Sequence, residues 1–404
     1  VEITRNAVVF PAPLGPIRPN ISPDTTLRLK RSNARMLPKS LVKSTASTTI
    51  FKINHFRYSF IHNIPTEKLS DSYFASELSV IKLIFKQKQI FLLNYGEIHA
   101  MGTLEEYEKV FYPSSIAVVG ASADPKKLGY HCLKSLMKGG FKGKIYPVNP
   151  KLFEVYGFKA YPSIKDVPDK VDLAIIAIPR QKVLEVIKEC KEKSVKGIVL
   201  ITAGFKEAED DIGLKLQREI AVLANQFGIK IIGPNTFGIV NLHANLNASF
   251  TPEFSMVEKG NISLVSQSGG FCHLIAPLSL KDGGGFSKII GLGNRCNVDF
   301  ADILEYLECD PETKVISLFI EGVDNARRLF EVASRVAGKK PIVVYKVGKS
   351  KIGDKASLSH TGSLAGRHDL YTVAFKQACV ITVNSSEEML DTAKAFSLCS
   401  LPKG

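Results

Sequence analysis

Short apolar runs alternate with amphipathic segments from residue 115 onward. Continuous runs rich in valine and isoleucine, separated by helical segments, are typical of a parallel sheet that is covered on both faces. The first five runs therefore predict a five-stranded, doubly wound unit, whose strands are expected at 116–119, 145–148, 173–178, 198–201 and 229–232.

A second series of apolar runs follows Gly260 and predicts another unit of similar architecture. Gly338 followed by Pro341 is typical of a helix end and a strand entry. The fold class is therefore α/β with two doubly wound, mainly parallel sheets. A chain that stops at Gly404, just after a predicted helix, also suggests a fragment cut at a domain boundary. The strands are expected at 262–265, 289–292, 315–320, 341–345 and 380–383, and the helices at 301–307, 326–337 and 387–396.

Residues 1–100 differ from the rest of the chain in composition. They contain two glycines and no cysteine, five prolines fall within the first 23 residues, and no helix or strand period is sustained. We predict an irregular leader, for which three interpretations stay open: an organelle transit peptide, a disordered extension, or upstream sequence translated in error ahead of a start at Met101. A secretory signal is not expected, because no basic region precedes an apolar core.

Length and composition exclude several classes of protein. The 404 residues, 45% of them hydrophobic and 23% charged, are enough for two or three globular domains. No run reaches the roughly 20 uninterrupted apolar residues of a membrane span, so we expect a soluble protein with no membrane partner. The seven cysteines are scattered and form no CxxC pair, which favours reduced thiols in a cytoplasmic protein over a disulfide framework or a zinc site.

The net charge of +14 raises the question of a nucleic-acid partner. Residues 1–100 hold 14 lysines and arginines against six acidic residues, so more than half of the excess lies in the leader. No dense basic run or aromatic RNA-binding signature accompanies it, and we therefore expect no nucleic-acid partner.

Ligands of doubly wound sheets bind outside the carboxyl ends of the strands, so those turns are the first candidates for a site. The turn from Gly120 to Gly129 is not a GxGxxG motif. It is either a plain strand-to-helix turn or a loop whose N–H groups wrap a nucleotide phosphate. Lys151 offers a phosphate a cation. The candidate ligand-binding residues are Gly120, Ser122, Lys127, Asn149, Pro150, Lys151, Ile178, Pro179, Thr202, Ala203, Gly204 and Asn235.

A turn of the second unit is a candidate anion site. It ends a strand and opens a helix, where free N–H groups and the helix dipole favour a negative ligand. A nucleophilic serine is disfavoured, because the GxSxG motif requires a glycine where Ser266 stands. The residues of this turn are Ser266, Gln267, Ser268, Gly269 and Gly270.

His360 lies among small residues after a segment rich in lysine and glycine. It is either a surface histidine or an imidazole presented by a loop. A neutral ring nitrogen accepts a phosphoryl group when a carboxylate orients the other N–H. Glu321, at the end of a predicted strand, is the candidate carboxylate, and a strand-end salt bridge is its alternative. We expect no metal site.

From about residue 103 to residue 404 the chain resembles the CoA-binding and ligase domains of NDP-forming acyl-CoA synthetases. This superfamily includes ADP-forming acetate–CoA ligase and the alpha subunit of succinyl-CoA synthetase. Six motifs match in order over about three hundred residues. They are the Gly-Ala-Ser loop at 120–122, Val-Asn-Pro-Lys at 148–151, Gly-Pro-Asn at 233–235, Ser-Gln-Ser-Gly-Gly at 266–270, Asp-Pro-Glu-Thr at 310–313 and Ser-His-Thr-Gly-Ser-Leu-Ala-Gly at 359–366.

The resemblance implies a Rossmann-like CoA-binding domain at 101–238 and a flavodoxin-like ligase domain at 239–404. It also implies a reaction in which acyl-CoA and inorganic phosphate give acyl phosphate and CoA. His360 would then take the phosphoryl group, oriented by Glu321, and its loop would carry the group to ADP. By the same resemblance, Ser268, Gly269 and Gly270 would hold the phosphate.

No ATP-grasp sequence is present, so the resemblance implies that ADP or ATP, with Mg, binds to a separate beta subunit or a fused domain. The expected assembly is a hetero-oligomer with a short acid or acyl-CoA as substrate. The alternative is a CoA-binding regulatory module without ligase activity, although modules of that kind typically lack the phosphorylatable histidine. A dehydrogenase is disfavoured, because GxGxxG is missing and Asn149 stands where an acidic residue would close the second strand.

Overall fold

The computed structural model describes residues 105–282, 285–348 and 368–399. The predicted leader at 1–100 and the candidate nucleophile His360 lie outside the described residues. A short helix, α1, covers 105–111 and precedes the first sheet.

The first sheet has five parallel strands in the order β2-β1-β5-β6-β7, and the predicted five-stranded unit is confirmed. The strand predicted at 173–178 ends at Ile176, which leaves Ala177 and Ile178 in the following loop. A small hairpin, β3 and β4, lies between the second and third parallel strands. The elements are β1 Ser115–Val119, α2 Leu128–Gly139, β2 Lys144–Val148, β3 Glu154–Val155, β4 Phe158–Lys159, β5 Leu173–Ile176, α3 Val183–Glu192, β6 Gly197–Leu200, α4 Asp211–Phe227 and β7 Lys230–Ile232.

The second sheet has seven strands in the order β14-β13-β12-β10-β11-β8-β9. Five are parallel and correspond to the predicted runs, while β8 and β9 form an antiparallel hairpin at the edge that the apolar pattern did not indicate. The elements are β8 Gly238–Asn241, β9 Leu246–Ser249, β10 Lys259–Ser266, α5 Gly269–Asp282, β11 Phe286–Gly291, α6 Phe300–Cys309, β12 Val315–Ile320, α7 Ala326–Ala337, β13 Ile342–Lys346, α8 His368–Gln377, β14 Ile381–Val383 and α9 Ser386–Leu398.

One hydrophobic cluster joins the two sheets. It contains Ile116 and Leu173 from the first sheet together with Ile290 and Leu304 from the second unit. Phe111 on α1 stacks on Tyr306 of α6, with ring centroids 4.5 Å apart. The turns at the strand ends of both sheets are thus held in one packed body.

In the described part of the chain, no helix is both long enough and apolar enough to cross a membrane. All seven cysteines of the sequence lie within the described residues, and all are free. Cys132, Cys190 and Cys272 are buried, and burial raises the pKa of the Cys132 and Cys272 thiols to about 12.

Candidate functional site

The carboxyl ends of β1, β2, β5 and β6 enclose a cleft of about 780 Å³. In the sheet, β2 lies on one side of β1 and β5 lies on the other, so the strand order reverses at β1. The loops diverge at such a topological switch point and leave a crevice between them. Ten of the twelve residues predicted at the strand ends line the cleft: Gly120, Ser122, Lys127, Asn149, Pro150, Lys151, Ile178, Pro179, Thr202 and Ala203.

Two of the predicted residues do not line this cleft. The carbonyl oxygen of Gly204 accepts a hydrogen bond from Nη1 of Arg180 at 2.5 Å. Asn235 is exposed, and its Nδ2 lies 3.5 Å from Oδ1 of Asn294 in the loop after β11. Asn235 therefore faces the second sheet. Seven further lining residues have no strand-end signal and come from α2, the crossover after β4, the turn before α3 and α3 itself. They are Leu128, Pro162, Ser163, Lys182, Glu185, Val186 and Glu189.

Glycine is required at both ends of the turn between β1 and α2. Gly120 has a φ of +89°, and a Cβ there would lie 2.3 Å from the carbonyl oxygen of Ala177. A Cβ on Gly129 would lie 1.9 Å from the carbonyl oxygen of Gly120. The first turn of α2 therefore approaches the loop more closely than any side chain allows, which places its N–H groups at the cleft.

We expect Gly129→Ala to lower the free energy of unfolding by about 1–3 kcal/mol, because the added Cβ has to displace the main chain of Gly120. Gly338→Ala is the matched control, since Gly338 also has helical angles and its Cβ would meet no atom closer than 3.5 Å. Urea unfolding of the two variants makes the comparison. Equal stability of the two would contradict the close approach.

Two polar side chains hold the loops of the cleft together. Asn149 Nδ2 donates to the carbonyl oxygen of Ala121 at 2.8 Å, and Asn149 Oδ1 accepts from the N–H of Lys151 at 2.9 Å. Thr202 Oγ1 donates to the carbonyl oxygen of Ile178 at 2.7 Å. The loop after β1 is thus tied to the loop after β2, and the loop after β5 to the loop after β6.

The cleft suits a ligand with several negative charges. Lys127, Lys151 and Lys182 line it, and their ammonium groups form no ion pair with any residue of the described part of the chain. Helix α2 begins at the same place, and its N-cap residue Lys127 makes no side-chain capping bond, so the N–H groups of Leu128 and Gly129 at the start of the helix are available to an anion. Two carboxylates, those of Glu185 and Glu189, also line the cleft, and the Glu189 carboxylate accepts from the hydroxyl of Ser163 at 2.9 Å.

The predicted anion turn joins β10 to α5. Ser266 Oγ accepts from the N–H of Ser268 at 3.1 Å and donates to the carbonyl oxygen of Ser268 at 2.7 Å. Ser268 Oγ accepts from the N–H of Phe271 at 3.4 Å. The serine hydroxyls shape the turn, and Gly269 and Gly270 then start the helix at its positive end.

The structure brings Glu321 to this turn through Gln267. Gln267 Oε1 accepts from the N–H groups of Glu321 at 3.2 Å and Gly322 at 3.1 Å, while the Gln267 N–H donates to the carbonyl oxygen of Phe319 at 3.2 Å. Glu321 is 9% exposed. Gln267 thus connects the predicted phosphate turn to the main chain of Glu321.

His273, which is not among the residues predicted from the sequence, supports the same turn from α5. Its Nδ1 lies 2.7 Å from the carbonyl oxygen of Gly269, and its Nε2 lies 2.7 Å from the Thr251 hydroxyl oxygen. Its ring packs on Phe254 at 5.0 Å and on Phe237 at 5.8 Å. The sequence signal that could have identified His273 is its position one helical turn after Gly269.

Comparison with known proteins agrees with this arrangement. A family model described as a CoA binding domain matches residues 114–241, and one described as a succinyl-CoA ligase like flavodoxin domain matches residues 259–396. The alpha subunit of acetate–CoA ligase [ADP-forming] II of Pyrococcus furiosus is 49% identical over 294 residues. The chain belongs to the superfamily of NDP-forming acyl-CoA synthetases.

Other members of the superfamily show the same relation. Acetate–CoA ligase [ADP-forming] I of Archaeoglobus fulgidus is 46% identical over 71% of this chain. The structure of the dinucleotide forming acetyl-coenzyme A synthetase 1 of Ca. Korarchaeum cryptofilum, in complex with phosphate and ADP, matches 74% of this chain and 64% of that one, with 42% identity and a TM-score of 0.70. The P. furiosus match covers 73% of this chain but 63% of that subunit, and the A. fulgidus match covers 41% of that protein.

Proposed function

We propose that this chain is the alpha-type part of an acid–thiol ligase, an NDP-forming acyl-CoA synthetase. The reaction interconverts acyl-CoA, phosphate and ADP with a carboxylic acid, CoA and ATP. The observation that supports it most directly is the bonding of Gln267 in the phosphate turn to the main chain of Glu321, in the same body as a lysine-lined cleft.

CoA is the ligand proposed for the cleft. The phosphates of CoA would be bound by Lys127, Lys151 and the first turn of α2. Gly120 has no side chain, so the protein backbone there would approach CoA closely. The domain division proposed is 101–238 for CoA binding and 239–404 for the ligase domain. The strand order supports it, because β8 starts at Gly238 and pairs within the second sheet.

The proposed chemistry begins when phosphate, held by the turn at 266–270, attacks the acyl carbonyl carbon. The C–S bond breaks, and CoA leaves as the thiol. A ring nitrogen of His360 then attacks the phosphorus of the acyl phosphate, and the carboxylate leaves. Glu321 would accept the hydrogen bond from the other ring nitrogen, which keeps the attacking nitrogen unprotonated. Fixed N–H dipoles would stabilise the charge of the transferring group.

The second half-reaction is proposed to require an ATP-grasp beta subunit or domain, where ADP or ATP binds with Mg. The relatives named as alpha subunits support a partner subunit. The proposed assembly is a hetero-oligomer. A reducing cytoplasmic compartment is proposed for it, and the seven free cysteines support that compartment.

The test is incubation of the full chain with labelled inorganic phosphate and a panel of short acyl-CoAs. We expect acid-labile, base-stable protein label that depends on acyl-CoA and is absent when CoA and the free acid replace it. Calorimetry with CoA alone checks the cleft in parallel. CoA binding without label, even after addition of an ATP-grasp partner, would favour the regulatory-module alternative, which the names of the relatives do not support.

A further inference from the structure

Lys346, the last residue of β13, is a buried cation beside Glu321. It is 3% exposed, and Nζ donates to the carbonyl oxygens of Glu321 at 3.0 Å and Val347 at 2.5 Å. Burial of an ammonium group costs free energy that an apolar side chain of the same length would avoid. Packing alone therefore does not explain a lysine at this position.

The position of Lys346 follows from the strand register. Ile320 on β12 pairs with Lys346 on β13, and the Val347 N–H donates to the carbonyl oxygen of Ile320 at 3.1 Å. The two parallel strands end side by side. The residue after Ile320 is Glu321, so a long side chain from the end of β13 reaches its carbonyl oxygen directly.

The main chain of Glu321 is held from two directions. On one side, Gln267 Oε1 accepts from the N–H groups of Glu321 and Gly322. On the other side, Lys346 donates to the carbonyl oxygen of Glu321. We call Gln267 and Lys346 the Glu321 clamp. Both polar groups of one residue are thus fixed by side chains, one from the phosphate turn and one from the neighbouring strand.

A third element is tied to the clamp. Lys346 Nζ lies 5.0 Å from the centre of the Tyr371 ring on α8, a distance typical of cation–π contacts. Burial raises the pKa of the Tyr371 hydroxyl, with a further rise from Asp324, so the ring stays neutral against the ammonium group. Lys346 accordingly connects β12, β13 and α8 at one point.

We propose that Lys346 is a positioning residue for phosphoryl transfer, which fixes Glu321 at the distance from the phosphate turn that the reaction needs. The inference rests on the proposed function. A hydrogen bond from a charged group is shorter and stronger than a neutral one, so the ammonium group restricts the Glu321 main chain more firmly than an amide would. Misplacement of a group near the chemistry by about 1 Å costs roughly 100-fold in rate.

The test compares Lys346→Met with Lys340→Met in the full chain. Lys340 is the matched control, because its Nζ also donates to two main-chain carbonyl oxygens, those of Leu307 and Asp310, at 2.6 Å each, but lies beside the buried Asp310 cluster. We measure the rate constant of acid-labile labelling at saturating acyl-CoA and phosphate, the half-saturating acyl-CoA concentration, and the active fraction from CoA-binding stoichiometry.

For Lys346→Met we expect a labelling rate constant roughly 10–100-fold lower, with the half-saturating concentration unchanged. Lys340→Met should change the active fraction and leave the rate constant alone. Lys346→Gln retains a hydrogen-bond donor without the charge, so its labelling rate constant should lie between those of the wild type and Lys346→Met. It serves as the second variant if Lys346→Met fails to fold. Equal rate constants in wild type and both Lys346 variants would overturn the inference alone. A wild-type chain that takes up no label even after addition of an ATP-grasp partner would overturn the proposed function with it.

Discussion

His360→Asn is expected to abolish the acid-labile label while the affinity for CoA stays as in the wild type. Asparagine has no ring nitrogen to accept a phosphoryl group, so the covalent intermediate cannot form. The residues that line the cleft come from other parts of the chain, between Val119 and Ala203. The variant should therefore take up no label, as measured by phosphate incorporation, and bind CoA as the wild type does, as measured by calorimetry.

The described ends of the segment that contains His360 lie at the candidate site. Val347 bonds to Ile320 beside Glu321, and Tyr371, early in α8, contacts Lys346. His368 is eight positions after His360, a span of at most about 28 Å when extended. The covalent chain thus permits His360 to reach Glu321.

His243→Asn is the matched control for the loss of an imidazole. His243 Nε2 lies 2.8 Å from the carbonyl oxygen of Gly260, and Nδ1 lies 2.7 Å from Glu312, at the opposite end of β10 from the phosphate turn. This variant should take up label as the wild type does. Full labelling of His360→Asn would identify another phosphoryl acceptor and contradict the assignment of His360.

The strand-end residues of the cleft were predictable because topology decides their location. Parallel strands end at one edge, so Gly120, Asn149 and Thr202 had to lie near each other once five apolar runs predicted a doubly wound sheet. Lys182 and Glu189 were not predictable in the same way. Lys182 precedes α3 and Glu189 lies on it. Whether they line the cleft depends on how that helix packs over the sheet.

The hairpin of β8 and β9 shows the limit of the apolar pattern. The sequence of β9, Leu246–Ser249, contains asparagine and serine, yet all four residues are buried. Asn247 Nδ2 donates to the carbonyl oxygen of Thr251 at 3.0 Å, and Ser249 Oγ donates to Asn247 Oδ1 at 2.6 Å. Buried polar groups that satisfy each other within a turn leave no hydrophobic signal. The support that Thr251 gives to His273 was missed for the same reason.

Lys288→Met is expected to lower the free energy of unfolding by about 3–5 kcal/mol. Lys288 is 0% exposed and Asp310 is 1% exposed, and Lys288 Nζ lies 2.6 Å from Asp310 Oδ2. Burial lowers the pKa of Lys288, and the Asp310 carboxylate opposes that shift. Removal of the ammonium group would leave Asp310 as an uncompensated buried charge. Urea unfolding of the full chain measures the loss.

The double variant Lys288→Met/Asp310→Leu decides whether the loss comes from the unpaired charge. If it does, the second substitution should recover most of the stability, because buried ion pairs are often replaceable by apolar residues of similar volume. Thr313 Oγ1 would lose Asp310 as a partner but keep its contact with Ser263 Oγ at 2.7 Å. Lys340 bonds to the main-chain carbonyl oxygen of residue 310, which the substitution retains. A double variant as unstable as Lys288→Met would instead assign the loss to the packing of the lysine against Tyr112 and Tyr306, whose ring centres lie 5.5 and 5.8 Å from Nζ.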